Sequence, residues 1–425
     1  MDGSWCIRPQ IGYVTGGVVA LMAVLLVSGA PSGSAAASAV GVPLRAGADS
    51  ALSVGGQAST ADRPSGGSGA ADGGGGSEWG IGCSARELVD AVVAANNSGG
   101  GTIRLARGCR YVLTLPEDIN GGYGPNGLPA IRTAVTVIGD RSTITRSRAA
   151  GTPPFRLIEV LHDPVQDGVR GNLTLVDVTL SNGIGEGGGA VRVTGPGTAT
   201  LENCAVLGNS ADYRTTPGHP MGGGLDVDGG YLRLSRTTVS KNYANVGGGI
   251  GGRNAVIRLD HADVSGNEAA TSAGVGAYDS NLTVTSSRVA GNRTRGGDYG
   301  AEYVPGTGGG IGLIALPGSA ARASIRDTEI SGNYATGSGG GLYTSRAHTE
   351  VVHSRITENA TGDSGGGIYA GAGTLVLTDS VVTRNRASQG AGGLQISETP
   401  TTITDTLIRG NIPTDCLPDT LPCGQ

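Results

Sequence analysis

Two adjacent stretches of the chain share one pattern, and that pattern decides the fold. Residues 354–379 read SRITENATGDSGGGIYAGAGTLVLTD, and residues 380–405 read SVVTRNRASQGAGGLQISETPTTITD. In both, short alternating apolar segments lie on either side of an Asn and a Gly-rich run, without the apolar spacing of a helix. The pattern therefore predicts a unit of three short strands separated by turns.

The same unit recurs through most of the chain, marked by an Asn that ends an alternating segment. Successive markers lie 27, 33, 25, 25, 41, 26, 26 and 26 residues apart, so a base period near 26 carries two insertions. Repeats of this length indicate a solenoid. The marker residues are Asn182, Asn209, Asn242, Asn267, Asn292, Asn333, Asn359, Asn385 and Asn411.

A unit of this kind cannot bury its own apolar face, so the units are expected to stack. Parallel pairing of successive units at about 4.8 Å closes a continuous core, which makes a parallel β-helix. A β-propeller is excluded because its blades need four strands and about 40 residues. The marker Asn residues are expected to adopt a left-handed turn conformation and to bond each other along the stack. One column of small residues is expected to point inward: Cys204, Thr237, Ala262, Ser287, Thr328, Ser354, Ser380 and Thr406.

The N-terminal edge of such a stack needs a cover, because unpaired strand edges associate. Ser84 and Glu87 have the spacing of a capping box, and an apolar helical face follows them. We therefore expect a capping helix over residues 84–96. The residues of its apolar face are Leu88, Ala91, Val92 and Ala95.

The N-terminal region is predicted to be removed or unfolded. Residues 1–39 resemble a signal peptide, with Arg8, the apolar run VTGGVVALMAVLLV and an Ala-rich cleavage context. Residues 40–78 are rich in Gly, Ala and Ser and are predicted to form a disordered linker. The β-helix is assigned to residues 79–425, and no membrane span is expected after signal cleavage.

The cysteines indicate an oxidising compartment. The economical pairing joins Cys83 to Cys109 and Cys416 to Cys423, and leaves Cys204 free. No Cys-x-x-Cys occurs and the five His residues show no ligand spacing, so no Cys/His metal site is predicted.

Composition excludes two further classes of protein. Gly accounts for 79 of the 425 residues without a Gly-X-Y period, which excludes collagen. The 30 basic and 35 acidic residues give a net charge of −5, so no basic excess favours a nucleic-acid partner.

Two sets of motifs carry a resemblance to known families. The segment Cys83-Ser84-Ala85-Arg86-Glu87-Leu88 is similar to the motif Cys-Ser-Leu-Arg-Glu-Ala of secreted bacterial β-helix proteins, from which Ala85 and Leu88 depart. The Gly-Gly-Ile and Ser-Gly-Asn units resemble the repeats of chlamydial polymorphic outer-membrane proteins, with Val or Ile in place of their usual Phe. Over residues 83–411 the resemblances imply a pectin-lyase-like right-handed parallel β-helix in an exported or surface location. They imply no particular reaction, because that fold hosts lyases, hydrolases, epimerases and adhesins.

The strand after the Gly-rich run is the candidate ligand face, because both insertions come just before it. Asp226 and Asp228 point outward there, with Arg192 one coil below and Arg253 one coil above. We assign Asp226, Asp228 and Arg253 as candidate catalytic residues on a glycosidic bond, or as a site for Ca²⁺ and an anionic sugar. The alternative is a solvated ladder of weak ion pairs.

Candidate ligand-binding residues complete this face. Arg192, His219 and Tyr278 lie around the acidic pair. Tyr343 and Tyr369 stack one coil apart, either as a platform for sugar rings or as an ordinary outward ladder. Apart from Ca²⁺, no cofactor is predicted.

Three functions are consistent with this sequence. The favoured one is an adhesin-like binding or scaffold module for polysaccharide or a cell-surface partner, because small outward residues such as Gly251 and Gly276 leave little reach for a catalytic cleft. The second is a polysaccharide lyase, hydrolase or epimerase centred on Asp226 and Asp228. The third is an inert spacer.

Overall fold

The computed structural model describes residues 77–119, 124–161, 170–211, 221–299 and 302–423. The predicted signal peptide and all but the last two residues of the predicted linker lie outside this range, so the proposed domain boundaries stay a prediction. The described part is a stack of short parallel strands preceded by one helix. The prediction of a parallel β-helix with an N-terminal helix is confirmed.

Each coil passes through four sheets, one more than the three strands expected. Sheet 1 follows the Gly-rich run, sheet 2 comes next, sheet 3 ends at the marker Asn, and sheet 4 is a short strand after it. Four long strands turn a corner and belong to two sheets each. The fourth strand escapes the alternation pattern because it has only two to four residues.

The strands are distributed as follows. Sheet 1 contains Ile158–Val160, Val191–Thr194, Leu225–Asp228, Ile250–Arg253, Val275–Tyr278, Ile311–Ile314, the first parts of Leu342–Val352 and Ile368–Thr378, Leu394–Ser397 and Cys416–Leu417. Sheet 2 contains Glu78–Gly80, Gly100–Arg104, the first parts of Ala134–Arg146 and Asn172–Ser181, Thr198–Glu202, Tyr231–Ser235, Val256–Asp260, Asn281–Thr285, Arg322–Arg326, the second parts of Leu342–Val352 and Ile368–Thr378, and Thr401–Thr404.

The remaining strands form sheets 3 and 4 and one hairpin. Sheet 3 contains Arg110–Leu113, the second parts of Ala134–Arg146 and Asn172–Ser181, Ala205–Leu207, Thr238–Ser240, Asp263–Ser265, Arg288–Ala290, Glu329–Ser331, Arg355–Thr357, Val381–Thr383 and Leu407–Arg409. Sheet 4 contains Ile184–Gly185, Ser210–Ala211, Tyr243–Val246, Glu268–Thr271, Arg293–Thr294, Tyr334–Ala335, Ala360–Thr361 and Arg386–Ala387. In the second insertion Gly297–Tyr299 pairs antiparallel with Glu302–Val304.

The marker Asn residues form a buried ladder along the stack. From Asn209 to Asn385, each donates its backbone N–H and its Nδ2 to the Oδ1 of the next marker, with N···O distances of 2.9–3.1 Å. The last marker, Asn411, donates in the same way to the Asp415 carboxylate at 2.8 and 2.9 Å. The ladder thus ends on a charged acceptor that satisfies its final donors.

Two details of the predicted Asn ladder are wrong. Gly183, not Asn182, stands in register below Asn209, because Leu180 pairs with Val206 and the Gly183 N–H donates to Asn209 Oδ1. The left-handed residue is the one before each marker, with φ between 56° and 68°. The marker itself must aim its N–H and its amide along the stack, so the preceding residue makes the corner.

The small-residue column and the capping helix are confirmed. The side chains of the column are buried from Cys204 to Ser380, and hydroxyls along it accept backbone N–H groups, as Ser380 Oγ does from Ser354 N at 3.1 Å. The helix is Ala85–Asn97, and Ser84 caps it by accepting from the Glu87 N–H. Within the described residues, no helix is long and apolar enough to cross a membrane.

The cysteine prediction is also confirmed. Disulfides join Cys83 to Cys109 and Cys416 to Cys423, and the Cys204 thiol is free and buried. The first disulfide ties Cys83, the residue before the helix N-cap Ser84, to the first coil, and the second closes the C-terminal end. Both ends of the stack are therefore covalently fastened where coils have a neighbour on one side only.

Candidate functional site

Asp226 and Asp228 lie on the sheet 1 strand Leu225–Asp228. Leu225 and Val227 point into the core and are at most 1% exposed, so the two carboxylates share the outer face. Arg192 is the register partner of Asp226 in the coil below. The sequence therefore placed the acidic pair and its arginine on adjacent coils of one sheet.

A single guanidinium engages both carboxylates. Arg192 Nη1 lies 2.8 Å from Asp226 Oδ2, and Arg192 Nη2 lies 3.5 Å from Asp228 Oδ2. Asp226 is 4% exposed, whereas the Asp228 side chain is 35% exposed. The pair is thus an ion-pair set with one buried member and one solvent-facing member, not two free carboxylates.

Burial dominates the electrostatics of Asp226. Loss of solvent raises the pKa of its carboxyl to about 6, against the opposing attraction of Arg192, while the like charge of Asp228 raises it further. At pH 7 the group is mainly ionised and paired. It takes up a proton in mildly acidic solution, where an exposed aspartate would not.

A second buried charge pair lies one coil below Arg192 and was missed by the sequence analysis. Arg156 and Glu159 are both 0% exposed, with Nη1 and Oε1 3.5 Å apart. Asn126 links them, because it donates to Glu159 Oε2 at 2.7 Å and accepts from Arg156 Nη1 at 3.0 Å. Burial lowers the pKa of Arg156 to about 10, although Glu159 opposes the shift.

The signal for this second pair was present in the sequence. Residues 155–160 read FRLIEV, in which two charged residues interrupt an otherwise apolar strand. Charged residues in such a strand are expected to be paired with each other or with a buried polar group. Glu159 is the register partner of Arg192, so an alternating column of Glu159, Arg192 and Asp226 runs up sheet 1.

The glycine turns that enter sheet 1 cover its outer surface. A Cβ at Gly187 would lie 2.5 Å from Asp226 Oδ2 and 2.6 Å from Arg192 Nη1. A Cβ at Gly251 would lie 2.5 Å from the backbone N of Gly222. Small residues are therefore required here, because backbone from a neighbouring coil lies too close for a larger side chain. The glycine turns cover the outer side of this column.

The other residues assigned around the acidic pair are only partly assembled. Arg253 is the register partner of Asp228, but it is exposed and its Nη2 contacts Met221 Sδ at 3.5 Å. Tyr278 is the register partner of Arg253 in the next coil. His219 lies outside the described residues.

The tyrosine pair lies apart from the acidic pair. Tyr343 stands four coils above Asp226, about 19 Å along the stack. Its ring and that of Tyr369 stack with centroids 5.3 Å apart and planes 6° apart, and burial raises the pKa of both phenols. Each ring therefore covers one face of the other, and both side chains are partly buried.

Metal ligands do not gather in the described part of the chain. No group of three or more His, Cys, Asp or Glu residues there comes together in a way that would hold an ion. Calcium binding at Asp226 and Asp228 stays a prediction.

Among the comparisons with known proteins, only the comparison with solved structures found matches. No family model and no curated protein matches the chain. ORF18 of Geobacillus virus E2 is 11% identical with a TM-score of 0.38, over 77% of this chain and 62% of the viral chain. PfbA, a surface adhesin of Streptococcus pneumoniae, is 9% identical with a TM-score of 0.33, over 76% of this chain and 88% of the adhesin. The present chain therefore spans less than two thirds of the length of the viral protein.

Proposed function

We propose that the protein is a non-catalytic binding module that presents a β-helical rod to polysaccharide or to a cell-surface component. The observation that carries the proposal is the ion-pair set of Arg192, Asp226 and Asp228. A general acid and a general base need to reach substrate, whereas Asp226 is buried and held at 2.8 Å by Arg192. The ion-pair set then links two adjacent coils and leaves Asp226 no access to substrate.

The outer face of sheet 2 supports a binding role. Thr102, Thr136, Thr174 and Thr200 are register partners on four successive coils, and all four are partly exposed. Arg233 and Arg258 continue the same column on the next two coils and are exposed. A column of hydroxyl and guanidinium groups spaced by about 4.8 Å offers repeated donors and acceptors to a repeating polymer.

One observation favours the alternative function, a carbohydrate-active enzyme. A carboxyl whose pKa is raised to about 6 beside a second carboxyl is the arrangement of a general acid paired with a nucleophile or base. In that case Asp226 would donate the proton and the more exposed Asp228 would act as the nucleophile or base.

Turnover and binding assays on the same purified protein decide between the two functions. Uronate polysaccharides are incubated with the wild type at pH 5–8 and assayed for reducing ends and unsaturated products, and an immobilised panel of neutral and acidic glycans is tested for binding. We expect binding without turnover. Turnover that Asp226→Asn abolishes and the exposed control Asp405→Asn retains would establish the enzyme instead. Absence of both binding and turnover would overturn both proposals.

We also propose that the chain is exported and belongs with the pectin-lyase-like β-helix proteins that its N-terminal motif resembles. The two disulfides support export, because such bonds persist in oxidising compartments. N-terminal sequencing of protein recovered from the medium of a secreting host is expected to show a start after the Ala-rich segment at residues 35–39. A chain retained in the cytoplasm with its first residues intact would contradict export.

A further inference from the structure

A basic groove opens where sheet 3 turns towards sheet 4, on a different side of the coil from the acidic pair. Its volume is about 490 Å³, and three cationic side chains line it: Arg110, Arg148 and Lys241. Among the described residues that line this groove, none is acidic. Lys241 is the single lysine of the chain.

The floor of the groove is built by the repeat itself. Ser181, Leu207 and Ser240 are register partners on three successive coils. The residues that follow them, Asn182, Gly208 and Lys241, make the left-handed corner with φ of 63°, 60° and 56°. A Cβ at Gly208 would meet nothing within 4 Å, so the missing side chain leaves a depression between the two flanking coils.

Among the described residues, no carboxylate neutralises the cations that lie near this depression. Arg148 Nε donates to Asn182 Oδ1 at 2.8 Å, which fixes its guanidinium at the rim. Burial, and next the positive charge of Arg148, lower the pKa of the neighbouring Arg146. In the described structure no carboxylate lies within 4 Å of a cationic nitrogen of Arg110, Arg148 or Lys241.

Two arginines at comparable places on the stack are paired with a carboxylate. Arg384 occupies the same corner position as Lys241 in a higher coil, with φ of 58°, and its Nη2 lies 3.2 Å from Glu358 Oε1. On sheet 3, Arg288 Nη1 lies 3.7 Å from Asp263 Oδ1. The groove is therefore a local concentration of positive charge on a chain whose net charge is −5.

We infer that this groove binds the anionic groups of an acidic polysaccharide, an inference that rests on the proposed binding function. Guanidinium groups pair with carboxylate or sulfate through two parallel hydrogen bonds. Ser240 supplies a hydroxyl that can donate to and accept from sugar hydroxyls, and Leu207 supplies an apolar contact for a sugar ring. Asn182 and Lys241 are two coils apart, about 10 Å, so the groove spans more than one sugar.

The same features argue against nucleic acid as the occupant. Single-stranded nucleic acid is held by aromatic side chains on which bases stack, and no residue lining this groove in the described structure is aromatic. An anionic segment of a glycan needs no such stacking surface.

The test measures binding of the full chain to immobilised dextran sulfate, to polygalacturonate and to uncharged dextran. The variants are Lys241→Gln, Arg110→Gln and their combination, and Arg384→Gln is the matched control at the same backbone position. We expect each single substitution to weaken binding to one or both anionic polymers by about 2- to 5-fold and the double substitution by about 10-fold. The control is expected to bind as the wild type does. Binding should also weaken with salt, and less steeply for the double variant.

Several outcomes would overturn the inference. If the wild-type protein binds neither anionic polymer, or binds uncharged dextran equally well, the groove is not an anion-binding site. Equal losses for Lys241→Gln and Arg384→Gln would show attraction by overall charge and not by the groove. Binding to other glycans with no effect of the groove variants would refute the groove and leave the proposed function standing. Because Arg110 and Lys241 are exposed, thermal unfolding is expected to be unchanged in all variants.

Discussion

The Asn ladder makes a strong prediction about a single interior residue. Asn267 is 1% exposed and lies in the middle of the ladder. Its Oδ1 accepts the backbone N–H and the Nδ2 of Asn242, each at 3.0 Å, and its own Nδ2 donates to the Val239 carbonyl at 2.9 Å. Asn267→Ala removes all of these contacts and leaves the Asn242 N–H buried without an acceptor.

The size of the effect follows from those contacts. A buried backbone donor left without a partner costs about 1–3 kcal/mol, and each further hydrogen bond that is lost costs about 0.5–1.5 kcal/mol. We therefore expect Asn267→Ala to lower the free energy of unfolding by about 2–6 kcal/mol. Asn281→Ala is the matched control, because Asn281 lies on the outer face of sheet 2 and is exposed. Its expected effect is within about 0.5 kcal/mol.

Two measurements check this prediction. Urea unfolding followed by far-ultraviolet circular dichroism compares the variants, and hydrogen exchange follows the Asn242 amide. Solenoids unfold in segments, so the exchange rate reports the local loss even where the global transition is not two-state. An Asn267→Ala protein as stable as Asn281→Ala, with a protected Asn242 amide, would refute the view that the ladder holds the coils in register.

Two further predictions concern buried titratable groups. Because the pKa of Asp226 is about 6 when folded and 3.8 when exposed, the folded state binds the extra proton between these values, so this residue's contribution to stability falls as pH rises from 4 to 6. The fall is on the order of 3 kcal/mol and should vanish in Asp226→Asn. Urea unfolding of both proteins at several pH values measures it. Parallel dependences of stability on pH in the wild type and the variant would contradict the prediction. Burial raises the pKa of the Cys204 thiol to about 11, so iodoacetamide should leave Cys204 unmodified in native protein and alkylate it after denaturation. Rapid native labelling of the Cys204 peptide, read by mass spectrometry, would show that the inward column opens.

The repeat period of the sequence was enough to predict most of the fold. Each coil repeats the same alternation and the same corners, and the residue at the first corner is polar and left-handed, as Asp379 and Asp405 are with φ of 47°. Asn, Asp and His tolerate that conformation better than other side chains, so the corner is visible in the sequence. The capping helix and the Cys416–Cys423 disulfide also depend on neighbours close in the chain. Cys83 and Cys109 are 26 residues apart and were paired because this was the economical choice.

The candidate site was less accessible to sequence reasoning. Alternation placed Asp226 on the outer side of its strand, but its burial depends on a glycine turn from another coil, with Gly187 lying against the carboxylate. The basic groove likewise depends on register, because Arg110, Arg148 and Lys241 are far apart in sequence and meet only when their coils stack. The wrong register assigned to Asn182 has the same cause. One extra residue between Asn182 and Asn209 shifts the strand register without changing the sequence pattern.

The sequence by itself determined that the chain winds into stacked coils, because strand alternation, corner residues and the spacing of the markers act within one coil and are written in every repeat. The tertiary structure alone decided which outward side chains meet solvent and which are enclosed. Enclosure is set by the neighbouring coils and by the turns that cross over them, and a charge such as that of Asp226 takes its pairing, its pKa and its accessibility from residues that no local pattern connects to it.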